Sequence, residues 1–127
     1  MANLTFLGAT QTVTGSKYLL EAGGERLMID CSHANSRKDF RRQLEVCAET
    51  GAQVAAGDAH IIGVMVESNL VEGRQDLKPG RQLTFGQSIT DACLGWESSV
   101  ALLAGLAQAV AKRREASAAR DAAAAED

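Results

Sequence analysis

The chain is poor in the residues that mark several protein classes. Its 127 residues include one proline, one tryptophan, one tyrosine and two histidines, and its formal charge is −3. No apolar run approaches the length that a bilayer span needs, and the amino terminus lacks the basic and apolar segments of a signal peptide. We therefore expect a cytoplasmic protein with no membrane partner. The slight negative charge also argues against a nucleic-acid partner.

Cysteine usage excludes a disulfide-based scaffold. The three cysteines, Cys31, Cys47 and Cys93, cannot all pair within one chain. They show no CxxC spacing, which argues against a structural zinc site, and reduced thiols are expected. Apolar residues make up 46% of the chain and charged residues 23%, which is typical of one globular domain with its own core.

The amino-terminal part of the chain has the pattern of short strands. Two runs of β-favouring residues, 3–10 and 16–21, are followed by Gly23-Gly24 and by a third run over residues 26–30. This pattern predicts an antiparallel meander. From residue 37 the apolar spacing changes to that of an amphipathic helix, which is expected to end at Gly57 and to be weakened at Gly51.

The rest of the chain predicts a strand, a long connection and a second helix. Residues 61–66 are apolar and β-branched, as in a buried central strand. Residues 69–90 are polar, and residues 83–85 are expected to supply a hairpin strand within them. The last helix should run from Trp96 to about Arg114, and the alanine-rich tail 115–127 should be frayed helix or disordered.

Together these patterns predict an α/β fold with one mixed sheet. The third strand of the meander leads through a right-handed crossover helix into a parallel fourth strand, and the second helix covers the same sheet. The prediction includes one specific packing arrangement. In it, strand side chains contact side chains of the two helices: Val64 and Val66 against Leu44, Leu103 and Leu106.

Three polar residues lie just beyond apolar runs or in a polar cluster. His33 follows residues 26–30, Glu67 follows residues 61–66, and Asp91 lies in the cluster 88–93. Because the carboxyl ends of parallel strands commonly open onto a site, the three are candidate metal ligands.

One imidazole and two carboxylates suit manganese, iron, cobalt or zinc better than calcium. Three ligands leave coordination positions open, as a catalytic metal requires. Cys31 would face the same way as His33 in a continued strand and is a candidate fourth ligand. The alternative is that the three residues are unrelated, because such trios occur in many chains and spacing alone does not decide.

Extended local sequence points to one enzyme family. The relevant segments are Asp30-Cys-Ser-His-Ala-Asn-Ser-Arg-Lys-Asp39, Ile61-Ile-Gly-Val-Met-Val-Glu-Ser-Asn-Leu-Val-Glu-Gly73 and Gly86-Gln-Ser-Ile-Thr-Asp-Ala-Cys-Leu-Gly-Trp96. Over residues 27–114 the chain resembles the class I 3-deoxy-D-arabino-heptulosonate 7-phosphate (DAHP) synthases. That family is a decorated (β/α)8 barrel that condenses phosphoenolpyruvate with erythrose 4-phosphate at the entry of the shikimate pathway.

The resemblance implies a metal site and a transferase activity. By motif, the family's metal ligands correspond to His33, Glu67 and Asp91. The family's fourth ligand is a cysteine on the first barrel strand, which has no counterpart here. The arginines and lysines that bind the two substrate phosphates in the family also have no counterpart in residues 1–26.

Only the last two βα units of the barrel are matched: 26–31 and 60–68 as strands seven and eight, and 38–56 and 96–114 as helices seven and eight. A quarter of a barrel cannot close, so we expect weak binding of a divalent metal and little or no activity from this chain alone. The alternative is a noncatalytic chimeric module with a vestigial metal site, which pairs with itself to cover its sheet edges.

Residues 1–31 resemble a different family. They look like the opening strands of metallo-β-lactamase-fold ribonucleases, although the histidine-rich metal motif of that family is missing. The expected organisation is therefore a β-meander over 1–31, a DAHP synthase-like segment over 27–114 and the tail 115–127. An RNA-processing relic is the weakest of the three functional hypotheses.

Overall fold

The computed structural model describes residues 3–7, 17–21 and 26–125, with side chains described for residues 26–125. The elements in chain order are β1 (Asn3–Leu7), β2 (Lys17–Glu21), β3 (Leu27–Asp30), α1 (Gln43–Ala55), β4 (Ile61–Met65), β5 (Val71–Arg74), β6 (Gln87–Ser88) and α2 (Trp96–Ala124). A short 3-10 helix, Phe40–Arg42, leads into α1. Within this described part, no helix is both long enough and apolar enough to cross a bilayer.

The larger sheet has the order β1-β2-β3-β4. β2 runs antiparallel to both β1 and β3, whereas β4 runs parallel to β3. A parallel neighbour requires a crossover connection, and α1 provides it. The prediction of a mixed α/β fold is confirmed. The register shifts between Leu27, which pairs with Ile61, and Met28, which pairs with Gly63, so Ile62 is an extra residue in β4.

The buried core lies where the two helices meet the sheet. Its members are Val54, Ile61 and Ala109, with Ile29, Ala55 and Val110 packed around them. α1 and α2 approach each other at small residues, since Gly51 is buried against Ala109 and Leu106. Glycine weakens helix propensity at this position, and here it permits the close helix contact.

The predicted packing of strand valines against leucines is wrong. Leu44 and Leu103 are 37% and 62% exposed, so neither is a core residue. The helices meet at Gly51, Ala109 and Leu106 instead, and Leu106 is half-buried there.

Both helix boundaries differ from the apolar pattern. α1 begins at Gln43 because Arg37 and Lys38 have φ angles of 54° and 60°, which a right-handed helix cannot include. α2 continues to Ala124, well past Arg114, because alanine has the highest helix propensity. Whether its last turns fray in solution stays a prediction.

The connection over residues 69–90 contains a parallel pair rather than a hairpin. β5 pairs with β6 through Val71 opposite Gln87. The predicted strand at 83–85 is absent from this described segment. A side chain replaces it: Gln75 Oε1 accepts from Thr84 N at 2.8 Å, and Gln75 Nε2 donates to Thr84 O at 2.7 Å. Thr84 therefore makes the hydrogen bonds of a strand residue with a side-chain partner.

Candidate metal centre

His33 lies in a closed loop after β3. Its φ is 50°, in the left-handed region that histidine tolerates better than bulkier residues. Two groups donate to His33 O: Lys38 N at 2.7 Å and Ser36 Oγ at 3.1 Å. Asn35 Nδ2 donates to Asp30 O at 2.5 Å and ties the loop to the end of the strand. The imidazole is thus presented by a hydrogen-bonded loop.

Two buried groups lie on the Nδ1 side of the imidazole. His33 Nδ1 is 2.5 Å from Ser32 Oγ and 3.3 Å from Asp30 Oδ2. Asp30 Oδ1 accepts from Ser32 N at 2.9 Å and from Ser32 Oγ at 2.6 Å. Asp30 and Ser32 are each 1% exposed. The other ring nitrogen, Nε2, lies 3.4 Å from Glu67 Oε1.

The backbone of Glu67 is held by a buried glutamine. Glu67 N donates to Gln43 Oε1 at 2.8 Å, and Gln43 Nε2 donates to Glu67 O at 3.2 Å and to Phe40 O at 3.1 Å. Gln43 is the first residue of α1 and is fully buried. It therefore joins the start of the crossover helix to the end of β4.

Asp91 reaches the site because its turn pairs with the residues after β4. Leu94 N donates to Glu67 O at 3.0 Å, and Asn69 N donates to Leu94 O at 2.9 Å. These bonds place the turn that contains Asp91 beside Glu67. The Asp91 side chain itself is exposed.

His33, Glu67 and Asp91 each offer one ligand atom, and these atoms lie within 4.8 Å of one another. Two ligands about 2.1 Å from one ion at the tetrahedral angle are about 3.4 Å apart. The separation of His33 Nε2 and Glu67 Oε1 matches that value. The Asp91 side chain is exposed, and a change of its side-chain torsion angles would bring a carboxylate oxygen closer, so the three donors suit one divalent cation.

Cys31 does not join this group. Its Sγ lies 3.1 Å from Cys47 Sγ, and its side chain is fully buried. β3 ends at Asp30, so the strand alternation that would have aligned Cys31 with His33 does not continue. Hydrogen bonding to Cys47, reinforced by burial, raises the pKa of the Cys31 thiol far above its ordinary range. All three cysteines are free thiols.

The site favours a positive ligand electrostatically. Burial raises the pKa of Glu67 above 4.5, and the negative charges of Asp91 and Asp30 act in the same direction, whereas His33 acts against them. A cation bound between the carboxylates would offset this cost of ionisation.

A small cavity opens beside the three candidate ligands. Its volume is about 160 Å³. It is lined by Ser32, His33, Ser36, Lys38, Phe40, Gln43, Glu67, Asp91 and Ala92. Among the described residues of this lining, Lys38 is the one lysine or arginine.

Comparison with known proteins identifies the family. Residues 8–104 match the model of the DAHP synthetase I family. The chain belongs to the DAHP synthetase I family. It is 58% identical over 89 residues to the Phe-sensitive phospho-2-dehydro-3-deoxyheptonate aldolase of Escherichia coli (strain K12), a match that covers 70% of this chain and 25% of that protein.

Two further aldolases are also similar to this chain. The phenylalanine-inhibited aldolase of Saccharomyces cerevisiae is 45% identical over 115 residues, covering 84% of this chain and 31% of the relative. The solved structure of the aldolase from Francisella tularensis SCHU S4 is 48% identical, with a TM-score of 0.64, and covers 70% of this chain and 26% of that chain. The chain thus spans about a quarter of the length of the first curated relatives it matches.

The family match extends further toward the amino terminus than residue 27, where the resemblance was placed. It begins at residue 8. The resemblance of residues 1–31 to metallo-β-lactamase-fold ribonucleases has no support in these comparisons. Residues 8–16 and 22–25 lie outside the described residues, and so does the prediction of a Gly23-Gly24 turn.

Three side chains that hold the candidate ligands in place were not predictable from residue patterns alone. Asp30 and Ser32 precede His33 directly, and Gln43 lies ten residues further on. The Asp-Cys-Ser-His run offered a signal for the first two, because short polar side chains after a strand often bond their own loop. No sequence pattern links Gln43 to Glu67, because their contact depends on the packing of α1 against β4.

Proposed function

We propose that the chain binds one divalent cation through His33, Glu67 and Asp91 and represents the carboxyl-terminal part of a DAHP synthase active site. The observation behind this proposal is the convergence of the three ligand atoms within 4.8 Å in a chain of the DAHP synthetase I family. The mixed nitrogen and oxygen set favours manganese, iron, cobalt or zinc. The cation is proposed to bind weakly, since the Asp91 side chain is exposed and no fourth ligand joins the group among the described residues.

The proposed reaction is the condensation of phosphoenolpyruvate with erythrose 4-phosphate in the biosynthesis of aromatic amino acids. A divalent ion supplies Lewis-acid polarisation of the aldehyde carbonyl in such chemistry. His33, Glu67 and Asp91 would hold the ion, and the ordered His33 loop would keep the imidazole in place.

We further propose that β3, α1, β4 and α2 correspond to the last two βα units of a (β/α)8 barrel. The parallel pairing of β3 with β4 through a crossover helix supports this assignment. The 26% coverage of the Francisella chain is the share expected for two units of eight.

The 127-residue chain by itself is proposed to be inactive. The cavity beside the three candidate ligands, at about 160 Å³, is smaller than the roughly 300–1,000 Å³ of ordinary small-molecule sites. Two phosphorylated substrates also require several cationic groups, and within the described part of the chain Lys38 is the single lysine or arginine in the cavity lining.

Calorimetry tests the cation site. Manganese and zinc are titrated into the wild-type chain and into His33→Ala, Glu67→Gln and Asp91→Asn. His60→Ala is the control, because His60 is exposed and lies with Asp58 outside the ligand group. We expect binding by the wild type and the control and loss of at least tenfold in affinity in the three variants. Equal binding by all five proteins would refute the site.

Phosphate release from the two substrates, measured with and without manganese, tests the proposed inactivity. We expect no turnover above the background without protein. Turnover that disappears in His33→Ala would show instead that the chain is a complete catalyst.

A noncatalytic module that pairs with itself is the second candidate function. Among the described strands, β4 pairs with β3 alone, so its other edge is open to a second copy. Met28 and Ile62 add exposed apolar surface, at 39% and 41%. Size-exclusion chromatography with light scattering tests this candidate, and a monomer at the highest soluble concentration would argue against it.

A further inference from the structure

Asp30 and Ser32 make contacts that assign a hydrogen to one nitrogen of His33. Ser32 Oγ is 2.6 Å from Asp30 Oδ1, and a carboxylate oxygen only accepts, so the single hydroxyl hydrogen of Ser32 points to Asp30. The 2.5 Å contact between Ser32 Oγ and His33 Nδ1 then requires the hydrogen to come from Nδ1. The 3.3 Å contact of Nδ1 with Asp30 Oδ2 requires the same assignment.

We propose that Asp30 and Ser32 are positioning residues that hold His33 as its Nδ1–H tautomer and leave Nε2 free to bind the cation. The hydrogen bond made by one ring nitrogen determines which nitrogen carries the proton. Nε2 faces Glu67 Oε1 at 3.4 Å, on the side of the candidate ligands. Neither residue belongs to the candidate ligand group, so both would act on the cation through the imidazole.

Burial makes this arrangement durable. Asp30 and Ser32 are almost inaccessible to water, which would otherwise compete for their hydrogen bonds. The backbone reinforces the geometry, because Ser32 N also donates to Asp30 Oδ1 at 2.9 Å and fixes the turn between them. The imidazole orientation is therefore set before any cation arrives.

The proposal rests on the proposed function for the role of Nε2, but the tautomer is measurable without metal. In ¹⁵N-histidine-labelled protein carrying His60→Gln, His33 is the one remaining histidine. Long-range ¹H–¹⁵N spectra are recorded in chelator near pH 8.5, about two units above the ordinary imidazole pKa. We expect Nδ1 to be protonated and Nε2 to be unprotonated.

Three variants in the same His60→Gln background test whether Asp30 and Ser32 set the tautomer of His33. Asp30→Asn replaces an acceptor with an amide that can donate to Nδ1, so we expect a shift to the Nε2–H tautomer and a loss of about 10- to 100-fold in manganese affinity. Ser32→Ala should give a partial shift, and Ser32→Thr, which keeps the hydroxyl, should restore the parent spectrum. The serine pair remains informative if Asp30→Asn does not fold.

The outcomes separate the two proposals. An Nε2–H tautomer in the parent protein would overturn the positioning role of Asp30 and Ser32. A tautomer unchanged by both Asp30→Asn and Ser32→Ala would overturn it as well. If the parent shows the expected tautomer and the variants shift it, the positioning role of Asp30 and Ser32 is supported. Failure of the parent to bind manganese or zinc would then count against the cation site alone.

Discussion

At the scale of single residues, the candidate site depends on buried polar groups whose hydrogen bonds are all made. Gln43 and Asp30 are both at most 1% exposed, and each bonds to the chain next to a candidate ligand. Removing one partner of a buried hydrogen bond costs more than the bond contributes, because the remaining group stays buried and unpaired. Substitution of such a residue should therefore lower the stability of the protein strongly, although the residue would not contact a bound cation.

Gln43→Ala should destabilise the protein by about 1–3 kcal/mol, because Glu67 N loses its acceptor and the carbonyl oxygens of Glu67 and Phe40 each lose one donor. Urea unfolding in chelator measures the change. Gln53→Ala is the matched control, since Gln53 is exposed on the same helix and makes one long bond of 3.5 Å. The control should change stability by less than about 0.5 kcal/mol. Equal effects of the two variants would contradict the role given to Gln43.

Glu67→Gln should change how stability depends on pH in the absence of metal. The pKa of Glu67 is raised from 4.5 by burial, so the folded state holds this proton more tightly than the unfolded state. The free energy of unfolding therefore falls as pH rises through the raised pKa. We expect the variant to match the wild type near pH 4 and to exceed it near pH 7.5.

Urea midpoints at the two pH values check this expectation, with Glu49→Gln as the control on an exposed carboxylate. The opposite result would be a free energy of unfolding that rises in the wild type, relative to Glu67→Gln, between about pH 4 and about pH 7.5. It would mean that the folded state stabilises the charged carboxylate of Glu67. Added manganese should reverse the order of the two proteins, since the ion favours the charged form.

The candidate ligands were predictable from sequence. The residues that hold them in place by hydrogen bonds were predictable only in part. His33, Glu67 and Asp91 follow from extended motifs. The direction of Cys31 did not, because it depends on the residue at which β3 ends, and strand ends are set by tertiary contacts.

At the scale of elements, the long helices and the strands with apolar sequences were predictable, and the short polar pair β5 and β6 was not. Each strand has few residues, and the pair is held by side-chain hydrogen bonds and an irregular register. Such a pair shows no alternation of apolar and polar residues in the sequence. This pair nevertheless brings the Asp91 turn toward Glu67. The loop segment therefore matters to the site as much as the regular elements do.

Gly86 lies at the start of β6 and tests that idea. Gly86 and Gly80 have φ values of 76° and 75°, which cost an alanine about 1–2 kcal/mol. At Gly86 a Cβ would also lie 2.7 Å from Leu70 Cβ, whereas nothing lies within 4 Å at Gly80.

Gly86→Ala should therefore destabilise the protein by about 1–3 kcal/mol more than Gly80→Ala. It should also weaken manganese binding, because a displaced β6 moves the turn of Asp91. Urea unfolding and calorimetry on both variants give the comparison. Equal losses in the two variants would show that backbone conformation, and not the contact with Leu70, dominates at Gly86.

At the scale of the whole molecule, a bound cation would contribute a large share of stability, because the core cluster within residues 26–125 is small. Three buried apolar residues of the described side chains form this cluster, and many large apolar side chains are exposed. A ligand that binds only the folded state stabilises it in proportion to the logarithm of its concentration. The site draws on residues from β3 to β6, so an ion bound there would oppose unfolding of the whole described unit.

Manganese at a hundredfold excess over its dissociation constant should raise the free energy of unfolding by about 2.7 kcal/mol. Thermal melts over a manganese series measure this effect. His33→Ala should show no dependence on manganese, and His60→Ala should behave as the wild type does. A melting temperature that rises equally in His33→Ala would indicate binding elsewhere on the chain.

The parallel pairing of β3 with β4 also dictates an order of events during folding. The antiparallel neighbours β1, β2 and β3 follow one another closely in sequence, but β3 and β4 meet only after the whole crossover through α1 has closed. Contacts between residues far apart in sequence form slowly, because the chain loses loop entropy before they are made. His33 and Glu67 are separated by that crossover, and Asp91 joins them through a second long connection. Competence to capture a cation would therefore arise late, after collapse, and the ion would select chains that have already folded rather than guide them there.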